Sequence, residues 1–221
     1  MLVDLSVGIE EGMTKIPFLP DVHVDVLRAL ADGHPLEIRN VSMATHIGTH
    51  MDAPAHAFAG AVTIDRVPLD AVCGSGVVIR VAARPNEPIT LAQVQASGPA
   101  IRTGDIVFLD TGFAKYGSAK DPTYLQNPYL AQDLADELVA KKVKVLGVDC
   151  VTVDMPVAVR PPDFAYPIHR TLLGNGVLIV ENLGDLSAVA GKRVKIYAFP
   201  LKITGSDAGH VRVVAEIEGD N

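Results

Sequence analysis

Six short runs of Val, Ile and Leu constrain the fold of this chain more than any other feature of its sequence. Each run is five to seven residues long, and several are apolar at nearly every position. Runs of this kind are typical of β-strands that are buried on both faces of a sheet. The predicted strands are Gly76–Val81, Asp105–Leu109, Val143–Val148, Gly176–Val180, Val194–Phe199 and Val211–Ile217.

Three segments carry helix signals. Leu91–Ala96 follows Thr90, whose side chain is suited to an N-cap. Pro128–Lys142 follows Asn127 as a cap, takes proline at its first position and closes on two lysines, as the helix dipole favours. A short third helix is predicted over Ile168–Leu173. Many strands with few helices indicate an α/β fold.

Length and composition favour one compact domain over residues 1–221, because 48% of the residues are hydrophobic and only 20% are charged. The formal charge of −7, without a basic cluster, argues against nucleic acid or an acidic membrane as a partner. The N-terminus shows no signal peptide, and no apolar run is long enough to span a bilayer. The expected location is the cytoplasm.

Several residues of the types that commonly bind metals lie close together before the first predicted helix. Within eleven residues the chain places His46, His50, Asp52 and His56, with Gly48 between the first two. Imidazole and carboxylate are common ligands of Zn²⁺ and Mn²⁺. A strand would spread this segment over roughly 33 Å, so no single regular element gathers all four side chains.

A turn near Gly48 would fold His46 back towards His50 and Asp52, which alternate onto one face of an extended stretch. Three protein ligands leave open positions on a metal, which is the pattern of a catalytic site. The alternative at this point is a histidine-rich surface loop that binds no metal. His169 and Glu181 are further ligand candidates. A lone histidine such as His169 is more often an ordinary partly buried residue, and a lone glutamate such as Glu181 is more often a solvated strand end.

The run from His46 to His56 resembles the signature of the cyclase-like metal-dependent hydrolases, a family that includes bacterial kynurenine formamidases and isatin hydrolases. The resemblance extends along nearly the whole chain. Its other landmarks are Asp4-Leu-Ser, Gly12-Met13, Pro17–Asp21, Asp110-Thr-Gly112, Gly147-Val-Asp149, His169-Arg-Thr-Leu-Leu, Glu181-Asn-Leu, Pro200-Leu-Lys202, Gly205 and Arg212.

The resemblance implies a cyclase-like swivelling β/β/α fold in a single domain, with a mostly buried mixed sheet, few helices and a homodimeric or homotetrameric assembly. It implies His46, His50 and Asp52 as primary ligands of a divalent metal, Zn²⁺ or Mn²⁺. In the two-ion arrangement Asp52 would bridge the ions, and His169 and Glu181 would complete the second site. One or two ions are both compatible with the motif.

The implied activity is hydrolysis of a small amide, lactam or imide by metal-activated water, with His56 as the proton shuttle. The formamidases carry an early tryptophan that this chain lacks, so a substrate ring is expected to stack on Phe18, Phe164 or Tyr166. Two alternatives are a cyclase or dehydratase that uses the same metal as a Lewis acid, and a non-catalytic metal-dependent ligand-binding protein.

Overall fold

The computed structural model describes residues 1–217 of the chain. The four α-helices of this part are α1 Leu91–Ser97, α2 Ala114–Ser118, α3 Gln132–Ala140 and α4 Pro167–Gly174. Its strands are β1 Leu2–Asp4, β2 His23–Arg28, β3 Ile38–Ser42, β4 His50–Asp52, β5 Cys73–Arg80, β6 Pro88–Ile89, β7 Ile106–Asp110, β8 Tyr129–Leu130, β9 Val145–Val148, β10 Leu178–Glu181, β11 Arg193–Pro200 and β12 Ala208–Glu216.

Seven of these strands form a closed, barrel-like sheet. Their order is β12-β11-β5-β7-β9-β10-β4, and β4 pairs back onto β12 to complete the circle. Strands β5, β7, β9 and β10 run parallel to their neighbours within that group. The pairs that involve β4, β11 and β12 are antiparallel. Strand β1 adds to β12 outside the circle. The expected mixed α/β architecture with few helices is confirmed.

The six predicted strands correspond to β5, β7, β9, β10, β11 and β12, with ends that differ by at most three residues. Every residue of β7, β9 and β10 is buried, as the continuous apolar runs predict. Strands β11 and β12 instead alternate between buried and more exposed positions. The short strands β1 to β4 lack such runs, and the apolar pattern does not predict them.

The sheet has an apolar layer on each face. Side chains that point inside the circle, such as Met51, Phe108 and Ile196, form one buried cluster. Side chains on the outer face, such as Leu109, Leu146 and Ile179, form a second cluster with residues of the helices. Because β4 alternates, Met51 points inward while its neighbours in the strand point to the outer face, below α4.

Gly147 in β9 allows the Phe108 ring to cross the backbone of the neighbouring strand. A Cβ atom at this position would overlap the ring and would lie 2.8 Å from Leu183 Cδ1. We expect Gly147→Ala to lower the free energy of unfolding by about 1–3 kcal/mol through overpacking, as measured by urea unfolding.

Gly8→Ala is the matched control for that experiment, because a Cβ at Gly8 would meet no atom within 4 Å. Equal unfolding midpoints for the two variants would contradict a packing requirement at Gly147.

The helix predicted over Pro128–Lys142 is wrong at its start. The observed helix begins at Gln132, and Tyr129–Leu130 form β8 instead, paired with β6. Asn127 does not cap the helix. Its buried amide donates to the carbonyl oxygens of Pro128, Thr152 and Asp154, so it ties two loops together.

The other two predicted helices are present in the structure as α1 and α4. Thr90 caps α1 in a capping box with Gln93, and α4 covers the residues predicted for the third helix. Within residues 1–217, no helix has the length and apolar composition that crossing a bilayer requires.

Candidate metal centre

The segment before β4 contains the turn that the sequence predicts. Gly48 has a φ of 69°, a left-handed conformation that side chains disfavour, and its carbonyl oxygen accepts a 2.8 Å hydrogen bond from His50 Nδ1. The other ring nitrogen, Nε2, faces Asp52 and Glu181. The turn brings His46 Nδ1 to 3.0 Å from Asp52 Oδ1. His46, His50 and Asp52 therefore meet as predicted.

Strand β4 positions two of these side chains through its partners on both sides. His50 is paired with Glu181 of β10 and with His210 of β12, and Asp52 is paired with Ile179 and Ala208. His50 and Asp52 have no solvent exposure.

Helix α4 supplies His169 from above the outer face. His169 Nδ1 lies 2.6 Å from Asp154 Oδ2, and the Asp154 carboxylate also accepts the backbone N–H groups of Ile168 and His169 at the start of the helix. Asp154 thus orients the ring and directs Nε2 towards the cluster, as carboxylates do for histidines that bind metals.

Glu181 ends β10 directly beside this ring. Its Oε1 atom accepts the Val153 N–H at 2.9 Å and lies 3.3 Å from His169 Nε2. Its Oε2 atom lies 3.7 Å from His50 Nε2. The two weaker candidates from the sequence, His169 and Glu181, thus lie beside the predicted cluster.

Asp52 is the centre of the arrangement. Its Oδ1 atom faces His46 and His50, at 3.0 and 3.4 Å, and its Oδ2 atom faces His169 at 3.6 Å. Each oxygen of this carboxylate thus lies near the imidazole nitrogens of different residues.

The buried atoms of the cluster fit a cation. His50 Nε2 and both carboxylate oxygens of Asp52 are buried without a hydrogen-bond partner among the described residues. Buried polar atoms are rarely left unpaired, and such groups often mark an ion site. These three atoms converge with those of His169 and Glu181, and imidazole and carboxylate are the donors that Zn²⁺ and Mn²⁺ use.

The charges of the cluster agree with that fit. Burial disfavours a charged His46, but the carboxylates of Asp207 and Asp52 outweigh it and raise the pKa of His46 to about 10. Burial also opposes charge on His169, whereas Asp154, Asp52 and Glu181 raise its pKa well above the usual value. Burial raises the pKa of Asp52, but the imidazoles of His50, His169 and His46 bring it well below its usual range. The site therefore favours positive charge.

Asp207 is a member of the site that the sequence motif does not include. It lies just before β12, and its Oδ2 atom is 2.9 Å from His46 Nε2 and 3.0 Å from His56 Nδ1. The two imidazoles lower the pKa of the Asp207 carboxyl. A single carboxylate thus accepts hydrogen bonds from a predicted ligand and from the predicted proton shuttle.

Two groupings of ligand atoms are possible at this site. His50, Asp52 and Glu181 form one compact set, and His46, Asp52 and His56 form another. His50 is fully buried with a free Nε2, whereas the His56 side chain is 32% exposed and its Nδ1 is already bonded to Asp207. The geometry therefore favours His50 as a ligand and leaves His56 accessible from the cavity.

Asp207→Asn is expected to lower kcat/KM about 10- to 100-fold, the usual cost of removing a carboxylate that orients a metal-site histidine. The amide keeps the size of the side chain but presents one donor group to two imidazoles. Steady-state kinetics and metal content measure the effect.

Asp185→Asn is the control, because the Asp185 carboxylate is bonded to Ser187 away from the cluster. Unchanged kinetics and metal content in Asp207→Asn would mean that Asp207 does not orient the histidines of the site.

A cavity of about 290 Å³ opens above the cluster. His46, His56, His169 and Glu181 are among the residues that line it. Two of the three aromatic residues predicted to bind substrate, Phe18 and Tyr166, lie on its wall.

The third predicted aromatic residue, Phe164, packs one layer behind the wall. Its ring centroid lies 5.3 Å from that of Tyr166. Tyr166 itself has a φ of 52°, an unusual backbone conformation for an aromatic residue.

Comparisons with known proteins agree with the fold. Residues 3–155 match the family model described as "Putative cyclase". The kynurenine formamidase of Salinibacter ruber is 30% identical over 218 residues, which cover 96% of each chain. That of Paracidovorax citrulli is 29% identical, over 97% of this chain and 95% of the relative.

Solved structures extend the likeness to three dimensions. A protein described as a potential metal-dependent hydrolase with cyclase activity has a TM-score of 0.79 and 26% identity, over 99% of both chains. Isatin hydrolase A from Ralstonia solanacearum has a TM-score of 0.86 over 99% of this chain and 92% of its own. At 22% identity, this second likeness concerns the fold alone.

Proposed function

This chain belongs to the cyclase family, and we propose on that basis that it is a metal-dependent hydrolase of non-peptide C–N bonds in a small amide, lactam or imide. The observation that carries the proposal is the cluster of His46, His50, Asp52, His169 and Glu181. His50 Nε2 and both Asp52 oxygens are buried and unpaired among the described residues, and the other three residues line the adjoining cavity. The kynurenine formamidase relatives support the amide as the bond type.

We propose that His46, His50 and Asp52 hold one divalent cation, and that Asp52, His169 and Glu181 hold a second where two are bound. Zn²⁺ and Mn²⁺ both suit three imidazoles and two carboxylates. When bound, such a cation would lower the pKa of coordinated water to about 7 and would polarise a carbonyl oxygen.

His56 is the proposed proton carrier. Its Nδ1–H donates to Asp207, so Nε2 is the nitrogen that is free to accept a proton. Its ring lies 4.2 Å from the His46 ring and 5.6 Å from the His169 ring, between the two halves of the cluster. His56 would take a proton from water during attack and return it to the departing nitrogen. Asp207 would stabilise the imidazolium between these two transfers.

The cavity limits the size of the substrate. A volume of about 290 Å³ suits a single ring with a short side chain better than a peptide. Phe18 and Tyr166 offer apolar surface to such a ring. We also propose, from the family, that the chain forms a homodimer or homotetramer.

The test combines metal analysis of the purified protein with a hydrolysis screen. N-formylkynurenine, isatin and several cyclic imides would be offered to metal-stripped protein and to protein restored with Zn²⁺ or Mn²⁺. Metal-dependent opening of one of these compounds is the expected result. Turnover without net addition of water would favour the cyclase or dehydratase alternative. Bound metal without turnover of any amide would favour the binding-protein alternative, and absence of metal after reconstitution would overturn the proposal.

A further inference from the structure

The wall of the cavity carries an arginine that the proposed hydrolysis does not use. Arg160 lies in the loop before α4, and its Nε–H donates a 2.6 Å hydrogen bond to the Met155 carbonyl oxygen. Its guanidinium carbon lies 4.8 Å from the ring centre of Tyr166 and 5.1 Å from that of Phe164. The guanidinium is therefore held in place by one hydrogen bond and two cation–π contacts.

Within residues 1–217, the terminal nitrogens of this guanidinium have no hydrogen-bond or salt-bridge partner. Across residues 1–217, no carboxylate lies within salt-bridge distance of Arg160, whereas Arg80, Arg193 and Arg212 each have one. Nε is its one hydrogen-bonded nitrogen within the same range. The two terminal nitrogens thus leave four N–H groups available, in the planar geometry that matches a carboxylate.

A second arginine adds positive charge to the same cavity. Arg170 lines the same cavity, where it lies over the Phe58 ring and donates to the Ala57 carbonyl oxygen. The lining also includes an apolar part, formed by Ile16, Phe18 and Leu19. The chain as a whole carries a formal charge of −7, so a cavity wall with two arginines departs from the general charge of the protein.

We propose that Arg160 binds a carboxylate group of the substrate, so that the preferred substrates are anionic amides. This inference rests on the proposed function. The apolar wall would contact the body of the substrate, and the amide would reach His56 while the acid group pairs with Arg160. A guanidinium already fixed by aromatic rings loses little conformational freedom when it binds an anion.

A matched pair of substrates tests the charge alone. One is an N-formyl aniline with a propanoate side chain ortho to the nitrogen, and the other carries the corresponding propanamide. The acid and the amide have nearly the same shape and the same reacting bond. The wild type is expected to prefer the acid by about 10- to 100-fold in kcat/KM, the range for a charge-assisted hydrogen bond.

Arg160→Gln is expected to bring this preference close to unity while kcat/KM for the propanamide changes little. Arg160→Lys should retain part of the preference, because the charge stays and the paired geometry is lost. Arg84→Gln is the matched control, since Arg84 is an exposed residue paired only with Glu87 within residues 1–217.

Three kinetic outcomes would overturn the inference. Equal turnover of the two substrates by the wild type would do so, as would an undiminished preference in Arg160→Gln. An equal loss with both substrates in that variant would assign Arg160 to supporting the loop around Tyr166.

Binding separates this inference from the proposed function. Calorimetry would compare the affinity of metal-loaded protein for phenylpropanoate and for phenylpropanamide, in the wild type and in Arg160→Gln. If neither formyl compound is hydrolysed but phenylpropanoate binds in an Arg160-dependent manner, the anion site stands and the proposed reaction fails. If binding of phenylpropanoate is the same in both proteins, the anion site fails whatever the activity.

Discussion

Replacement of Asp52 by alanine is expected to remove the bound metal and the hydrolytic activity together. Its two oxygens face His46 and His50 on one side and His169 on the other, so the substitution breaks both halves of the cluster. We expect kcat/KM to fall by at least about 10³-fold, since the cation contributes several kcal/mol to stabilising the transition state.

Asp52→Asn separates charge from shape, because the amide fills the same volume without a negative charge. It should lose metal nearly as completely as the alanine variant. Asp70→Ala, at an exposed position, is the surface control. Metal content by mass spectrometry, kinetics and circular dichroism would be measured on all three. Full activity in a folded Asp52→Ala protein would rule out the site.

Replacement of His56 by alanine is expected to lower kcat by about 10²- to 10⁴-fold, the usual contribution of a general acid–base residue. Metal content should stay at the wild-type level, because His56 is partly exposed and already bonded to Asp207. The combination of a large loss of rate with full metal content distinguishes a proton carrier from a ligand.

The alternative grouping of His46, Asp52 and His56 predicts a different result. In that case His56→Ala would lose metal in parallel with activity. His56→Gln adds a second measurement, because an amide can hold the hydrogen bond to Asp207 but cannot carry a proton. If His56→Gln retained the wild-type rate, proton transfer by His56 would be excluded.

Much of the fold follows from local sequence. Strands such as β7 and β9 are buried on both faces, so nearly every position must be apolar, and the run itself marks the strand. Strand β4 has no such mark, because two of its three residues are His50 and Asp52. A buried strand with polar side chains shows no apolar run in a hydropathy pattern.

The start of α3 shows where local signals mislead. Asn127 followed by proline has the composition of a helix start, but the buried Asn127 amide bonds to three loop carbonyls instead. Side chains such as asparagine stabilise turns and helix caps by the same hydrogen bonds. Tertiary contacts decide whether such a side chain caps a helix or stabilises a turn. Here the contacts are with Thr152 and Asp154, which are too distant in sequence to be predicted from the local pattern.

The candidate site also has a part that local sequence predicts and a part that depends on distant contacts. His46, His50 and Asp52 lie close together in sequence, and alternation along β4 with a turn at Gly48 is enough to gather them. Asp207 is 161 residues from His46 and carries no motif. The sequence shows Asp207 only as an acidic residue before a strand, and many surface loops have such a residue. Only the pairing of β12 with β4 brings Asp207 to the histidines.

With the proposed cation site, the position of β4 in the sheet would couple cation binding to the folding of the chain. This three-residue strand joins β10 to β12 and completes the circle, and it also carries His50 and Asp52. Two buried side chains whose polar atoms lack hydrogen-bond partners among the described residues thus lie where the barrel closes. A cation at 100 times its dissociation constant would add about 2.7 kcal/mol to the stability of the closed form. The midpoint of thermal unfolding should then rise with cation concentration. A midpoint that does not change when a chelator is added would mean that the barrel closes without a cation.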